Sequence, residues 1–189
     1  MESHCSVQQA QIDTYIKSGG LTLGPWTSNQ ARIDPRKLCI FLSRYKFVAK
    51  MLSGKKNVLE VGCGDADGMP IVLQEVSSVH GIDIDEFIIN DAKKRFLSEN
   101  IKGTSFSLHD VIKNPLNTLY DAAFSLDVIE HIPNKDEEEF VANIASSLTN
   151  DGVFIIGTPN KTADQYASEG SRKSHINLQS HESLKNLMM

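Results

Sequence analysis

From residue 35 onward, apolar positions fall into two alternating rhythms. Leu38, Phe41, Leu42, Tyr45, Val48, Ala49 and Leu52 recur at spacings of three and four, the stripe of an amphipathic helix. Arg36, Lys37, Arg44, Lys46 and Lys50 lie mostly off that stripe and read as its solvated face. Asp34-Pro35 opens the helix with an N-cap acid and a proline at the first helical position. Val58-Leu59 with Val61 form a short apolar run of the kind a buried parallel strand needs. Further strands are read at Val79 to Asp83, Ser105 to Leu108, Tyr120 to Leu126 and Val153 to Gly157. Helical stretches are expected between them: from Met69 through Val76, from Asp85 to Ser98 with Phe87, Ile88, Ala92 and Phe96 inward, and from Lys135 to Leu148. Asn150-Asp151-Gly152 reads as a turn. This alternation predicts an α/β domain over residues 35–189, a parallel sheet with helices on both faces. Residues 1–34 are polar and broken by Gly19-Gly20 and Gly24-Pro25, which predicts a loose arm with one short helix. Trp26 is expected to pack that arm onto the domain.

Candidate chemistry concentrates where the first strand ends. Asn57 to Gly68 reads N-V-L-E-V-G-C-G-D-A-D-G, a strand, a glycine turn (Gly62, Cys63, Gly64) and the start of a helix. Glycines there let backbone N–H groups approach a ligand with no Cβ in the way. Glu60 sits inside the apolar run, where a carboxylate is costly unless it meets a cation or hydrogen-bond donors. Asp83 closes the second strand 19 residues after Gly64, about the distance at which such folds place an acid on ribose hydroxyls. Two strand-end acids around one glycine turn suit a nucleoside that also carries an ammonium. A plain tight turn, or a dinucleotide site of an oxidoreductase, is the competing reading of the turn alone.

After the fourth strand, Asp127, Glu130 and His131 stand at i, i+3 and i+4, so a helical turn would put them on one face. His131 is the best candidate base, because its ordinary pKa lies near neutrality. Tyr166 to Asn177 is a polar segment without a core pattern that follows the fifth strand. It is expected to overhang the same strand ends as a loop, with Tyr166, Arg172 and His175 touching substrate.

Composition narrows the class. At 189 residues, with 40% hydrophobic and 23% charged residues, the chain fits one globular domain. The net charge of −5 argues against a broad phosphate-binding surface, and so against a nucleic-acid partner. Cys5, Cys39 and Cys63 lack disulfide or metal spacing, which points to a reducing cytoplasmic location. No apolar run approaches the roughly 20 residues a membrane span needs, so no membrane partner is expected.

E-V-G-C-G-D-A-D-G followed by G-I-D-I-D resembles the first two motifs of class I S-adenosylmethionine-dependent methyltransferases, with Ala66 where the third glycine of the turn usually stands. The D-V-I-E-H-I run resembles the ubiquinone-biosynthesis O-methyltransferases and the type 11 and type 12 methyltransferase families. The resemblance implies a Rossmann-like, doubly wound parallel sheet of order 3-2-1-4-5. The sixth and seventh strands usual in that fold are expected to be missing from this chain, and the uncovered edge leaves room for a homodimer. It implies S-adenosylmethionine as cofactor and S-adenosylhomocysteine as product. Glu60, Gly62, Cys63, Gly64, Asp83, Ile84, Asp110, Val111 and Leu126 would hold the cofactor, with Asp110 on the adenine amino group. Asp127, Glu130 and His131 would serve catalysis, and the arm would act as a lid. The reaction implied is methylation of an oxygen on a small-molecule or sugar-containing acceptor.

The same run also resembles the E-x-x-E-H motif of small-RNA 3′-terminal 2′-O-methyltransferases, with Asp127 in place of the first glutamate and Thr158-Pro159-Asn160 and His175 echoing downstream positions. That likeness implies a divalent metal on Glu130, His131 and His175, with Asp127 as a further ligand. It is the lesser alternative, as is a non-catalytic module that keeps the fold for protein contacts.

Overall fold

A computed structural model describes residues 6–189; residues 1–5 of the expected arm lie outside the described residues. The sheet has five strands, β1 (Asn57–Val61), β2 (Ser78–Asp83), β3 (Thr104–Leu108), β4 (Tyr120–Leu126) and β5 (Leu148–Gly157). Their spatial order is β3-β2-β1-β4-β5 and every pairing is parallel, the order expected above. No further strand follows β5 among the described residues.

The helices are α1 (Ser6–Ser18), α2 (Pro25–Ile33), α3 (Arg36–Met51), α4 (Met69–Val72), α5 (Glu86–Ser98), α6 (Glu137–Ser146), α7 (Glu169–Ser174) and α8 (His181–Leu187). One face of the sheet is covered by α3, α4 and α5: Tyr45, Val48, Leu52, Met69, Val72, Ile89 and Phe96 pack with Val58, Val79, Ala122 and Phe124. The other is covered by α6, whose Phe140 and Ile144 meet Leu59, Val61, Ile82 and Ala123. Consecutive strand residues thus feed opposite layers.

The expected α3 stripe is the one buried, and the Asp34 carboxylate accepts the Arg36 N–H at its start. Elsewhere the boundaries move. The crossover after β1 is a single helical turn ending at Val72, not a helix through Val76; tight turns carry Leu73 to Ser77 straight into β2. On α5 the Asp85 side chain caps the Phe87 and Ile88 N–H groups; Ile89 turns inward while Phe87 is exposed. Asn150-Asp151-Gly152 lies inside β5, where the register between Tyr120–Leu148 and Ala122–Val153 jumps and the extra residues bulge. The arm holds two helices instead of one, and Tyr166 to Asn177 is organised by α7 with Ser168 as its N-cap.

Candidate functional site

At the carboxyl ends of β1, β2 and β4 the chain leaves a cleft of about 1030 Å³, large enough for a nucleoside with an amino-acid tail and a second ligand. Its floor is the glycine turn. Gly62 adopts φ +71°, and a methyl there would meet Val128 Cγ2 at 2.3 Å, so the turn has room for glycine alone. The N–H groups of Gly62 and Cys63 both donate to the Ile82 carbonyl at 2.9 Å, which ties the turn to β2. Asp83 completes the tie: its Oδ2 accepts the Gly64 N–H at 3.0 Å and its Oδ1 accepts the Asp85 N–H at 3.0 Å.

Of the expected cofactor residues, Gly62, Cys63, Gly64, Asp83, Ile84, Asp110, Val111 and Leu126 all line this cleft. Ile84 is exposed at its rim, and Asp110 pairs with Lys113, a bond that holds its carboxyl below the usual range. Cys63 is buried, and burial pushes its thiol up, which makes it a space-filler in the turn.

Glu60 departs from the expectation. It is 2% exposed and lies beneath the floor, not in the wall. Its Oε1 accepts the Tyr45 hydroxyl at 2.6 Å and its Oε2 has no partner. Burial raises its pKa to about 8, the Tyr45 bond working against that and the Asp83 charge adding to it. Val61, the last residue of β1, lines the cleft, whereas Glu60 one residue earlier is enclosed in the layer beneath Tyr45.

Asp127, Glu130 and His131 also part company. Asp127 sits at φ +56° and pairs with Arg44 from α3, while Ile129–His131 form a 3-10 turn. Glu130 is 1% exposed; its Oε2 accepts the Thr158 hydroxyl at 2.9 Å and its buried Oε1 has no partner. His131 Nδ1 lies 2.9 Å from the Ser174 carbonyl. A carbonyl only accepts, so Nδ1 carries a proton, and in the neutral ring Nε2 is the nitrogen with the lone pair. The His131 and His175 rings stand edge to face at 5.1 Å, and donor atoms of Glu130, His131 and His175 lie within 4.8 Å of one another. Asp127, turned to Arg44, is not part of that group, so its expected place as a further ligand is not met. Of the expected substrate contacts only His175 lines the cleft. Tyr166 is 84% exposed outside it, and Arg172 is spent on the Asp164 and Gln165 carbonyls.

The arm expected as a lid supplies one wall of the cleft, through residues the sequence did not single out as site residues. Trp26, Thr27 and Gln30 from α2, with Lys37, Phe41 and Arg44 from α3, close one side of the cleft. A methyl at Gly64 would lie 3.3 Å from the Trp26 ring, so the indole covers the turn. Asp65, one residue past the turn, also lines the cleft and is 4% exposed.

With this geometry in view, the chain matches the family described as methyltransferase domain over residues 31–189. It is 29% identical over 118 residues to a probable S-adenosylmethionine-dependent methyltransferase of Mycolicibacterium smegmatis, covering 62% of this chain and 43% of that one. It is 28% identical over 137 residues to a ubiquinone biosynthesis O-methyltransferase of Rickettsia akari, covering 72% of this chain and 53% of that one. The chain spans about half the length of the curated relatives it matches. Among solved structures it is similar to a SAM-dependent methyltransferase from Archaeoglobus fulgidus, with a TM-score of 0.67 at 18% identity, covering 87% of this chain and 72% of that one. The chain belongs to the methyltransferase domain family, and its fold is that of the S-adenosylmethionine-dependent methyltransferases.

Proposed function

We propose that the protein binds S-adenosylmethionine in the strand-end cleft and transfers its methyl group to an oxygen of a small-molecule acceptor. The observation that carries this reading is the convergence of Asp83, the glycine turn and His131 on one cleft. In the transfer an acceptor oxygen forms a bond to the methyl carbon as the sulfur–methyl bond breaks, which leaves the neutral thioether S-adenosylhomocysteine. The sulfonium brings the reactivity; the chain supplies orientation and a proton acceptor. His131 Nε2, whose lone pair is fixed by the Nδ1–H to Ser174 bond, takes the acceptor's proton. Oxygen is favoured over nitrogen by the ubiquinone biosynthesis O-methyltransferase relatives. S-adenosylhomocysteine at 100 times its dissociation constant is expected to stabilise the protein by about 2.7 kcal/mol in a thermal-shift assay. No stabilisation at saturating ligand defeats the proposal.

A second reading has its own observation. One donor atom each of Glu130, His131 and His175 forms a compact set, and Glu130 Oε1 is buried without a partner, a chemistry that fits a divalent ion. An ion held there would lower the pKa of an acceptor hydroxyl bound to it. The two readings compete for the same His131 lone pair. Turnover that survives exhaustive chelation favours the base; turnover that disappears and returns with added metal favours the ion.

A further inference from the structure

Three acids that line the cleft each carry a buried carboxylate oxygen with no hydrogen-bond partner: Asp65, Asp127 and Glu130. Two are accounted for nearby, since Asp127 is neutralised by Arg44 and Glu130 belongs to the histidine cluster. Asp65 is different. Its Oδ2 accepts the Thr27 N–H at 2.6 Å, and its Oδ1 accepts nothing. Arg95, the nearby cation, gives one N–H to the Asp65 backbone carbonyl at 2.6 Å and spends its charge on Asp67 and Asp91, both at 2.6 Å. Three carboxylates around one guanidinium leave an excess of negative charge beside the glycine turn. A buried, unsatisfied carboxylate oxygen is costly, and a ligand ammonium relieves both the missing bond and the excess charge.

We infer that Asp65, not Glu60, receives the α-ammonium at the methionine end of the cofactor, and that the same carboxylate holds the arm through Thr27. The inference rests on the cofactor reading above. It follows from position as well as charge: Asp65 is one residue past Gly64, under the α2 residues Trp26 and Thr27, in the wall of the cleft. Glu60 is below the floor and occupied by Tyr45. The arm's approach is built around the acid, because a methyl at Gly24 would stand 2.4 Å from Asp65 Cγ.

The test is calorimetric titration of the wild type and Asp65→Asn with S-adenosylhomocysteine and with its deaminated analogue, which keeps the nucleoside, thioether and carboxylate. Asparagine preserves an oxygen for the Thr27 N–H and puts an amide donor where Oδ1 stood. The wild type is expected to prefer S-adenosylhomocysteine by about tenfold or more, as a charge-assisted hydrogen bond implies. Asp65→Asn is expected to erase that preference by weakening S-adenosylhomocysteine while the deaminated analogue stays within about threefold. A variant that keeps the wild-type preference overturns the inference, as does a wild type that shows none. If Asp65→Asn gives no cooperative melt, Asp65→Ser, which shortens the acid and removes its charge, is held to the same two outcomes. Binding of neither ligand to the wild type defeats the cofactor reading itself, and this inference with it.

Discussion

Replacing Glu60 by glutamine separates a structural acid from a ligand-binding one. Glu60 is wholly enclosed, and burial lifts its pKa from 4.5 to about 8. The folded side chain therefore keeps its proton at pH 7, while the unfolded one releases it near pH 4.5. Between those values folding takes up a proton, so stability is highest at the acid end and falls as pH rises through the window. At pH 7 the loss is on the order of 3 kcal/mol, levelling at about 5 kcal/mol above pH 8. Glutamine is a neutral isostere whose oxygen still accepts the Tyr45 hydroxyl, the bond Glu60 makes at 2.6 Å. Glu60→Gln should remove that part of the slope: urea unfolding at pH 5, 7 and 8.5 is expected to show a gap between variant and wild type that widens with pH, the variant being the more stable by up to about 3 kcal/mol at pH 7. S-adenosylhomocysteine affinity should change by less than about threefold, since no part of Glu60 faces the cleft. Parallel pH curves for the two proteins refute the buried-proton argument. A tenfold or larger loss of affinity returns Glu60 to the cofactor site.

Asp83→Ala removes the acceptor for the Gly64 and Asp85 N–H groups as well as the proposed ribose contact; S-adenosylhomocysteine affinity measured by calorimetry should fall by about tenfold or more. Gly62→Ala combines a left-handed φ of +71° with a methyl 2.3 Å from Val128 Cγ2, and is expected to cost about 2–5 kcal/mol in chemical denaturation. Adding Val128→Ala should restore part of that loss, because it removes the clash and leaves the φ strain. If the donor set binds an ion, titration with zinc or manganese should show one site, and His175→Ala should weaken it by about tenfold or more. Equal heats for wild type and variant would remove the metal reading.

The parts of the fold legible in the sequence are those where burial writes a period. β4 was readable to the residue at both ends because Ala122 to Leu126 is mostly apolar between polar stretches, and β2 and β3 were readable to within one residue. The α3 stripe was equally plain. What failed was side and register. Val61 at the end of β1 lines the cleft while Glu60 one residue earlier is sealed under Tyr45, a depth the sequence alone does not give. The turn signal at Asn150-Asp151-Gly152 was absorbed by a bulge that lets β5 continue past it. Polar segments carry no period at all, so nothing oriented Tyr166 and Arg172 outward or His175 inward. The Arg44–Asp127 pair joins residues 83 apart and left no local trace.

The family match begins at residue 31, yet Trp26, Thr27 and Gln30 form one wall of the cleft. The backbone that carries them is held by groups inside the matched region: Asp67 accepts the Gly24 N–H at 2.9 Å, Asp65 accepts that of Thr27, and Arg95 binds the Asp67 carboxylate and the Asp65 carbonyl. Burial raises the pKa of the Asp67 carboxyl, with the Gly24 N–H and the Arg95 charge pulling it back down. The arm is therefore not a loose cover laid over a finished site. Asp67 and Asp65 accept its Gly24 and Thr27 N–H groups, and under the proposal above a cationic ligand at Asp65 Oδ1 leaves both of those bonds intact. If Asp65 takes the ligand ammonium as proposed, cofactor and arm share one carboxylate, and each is expected to tighten the other's hold on it.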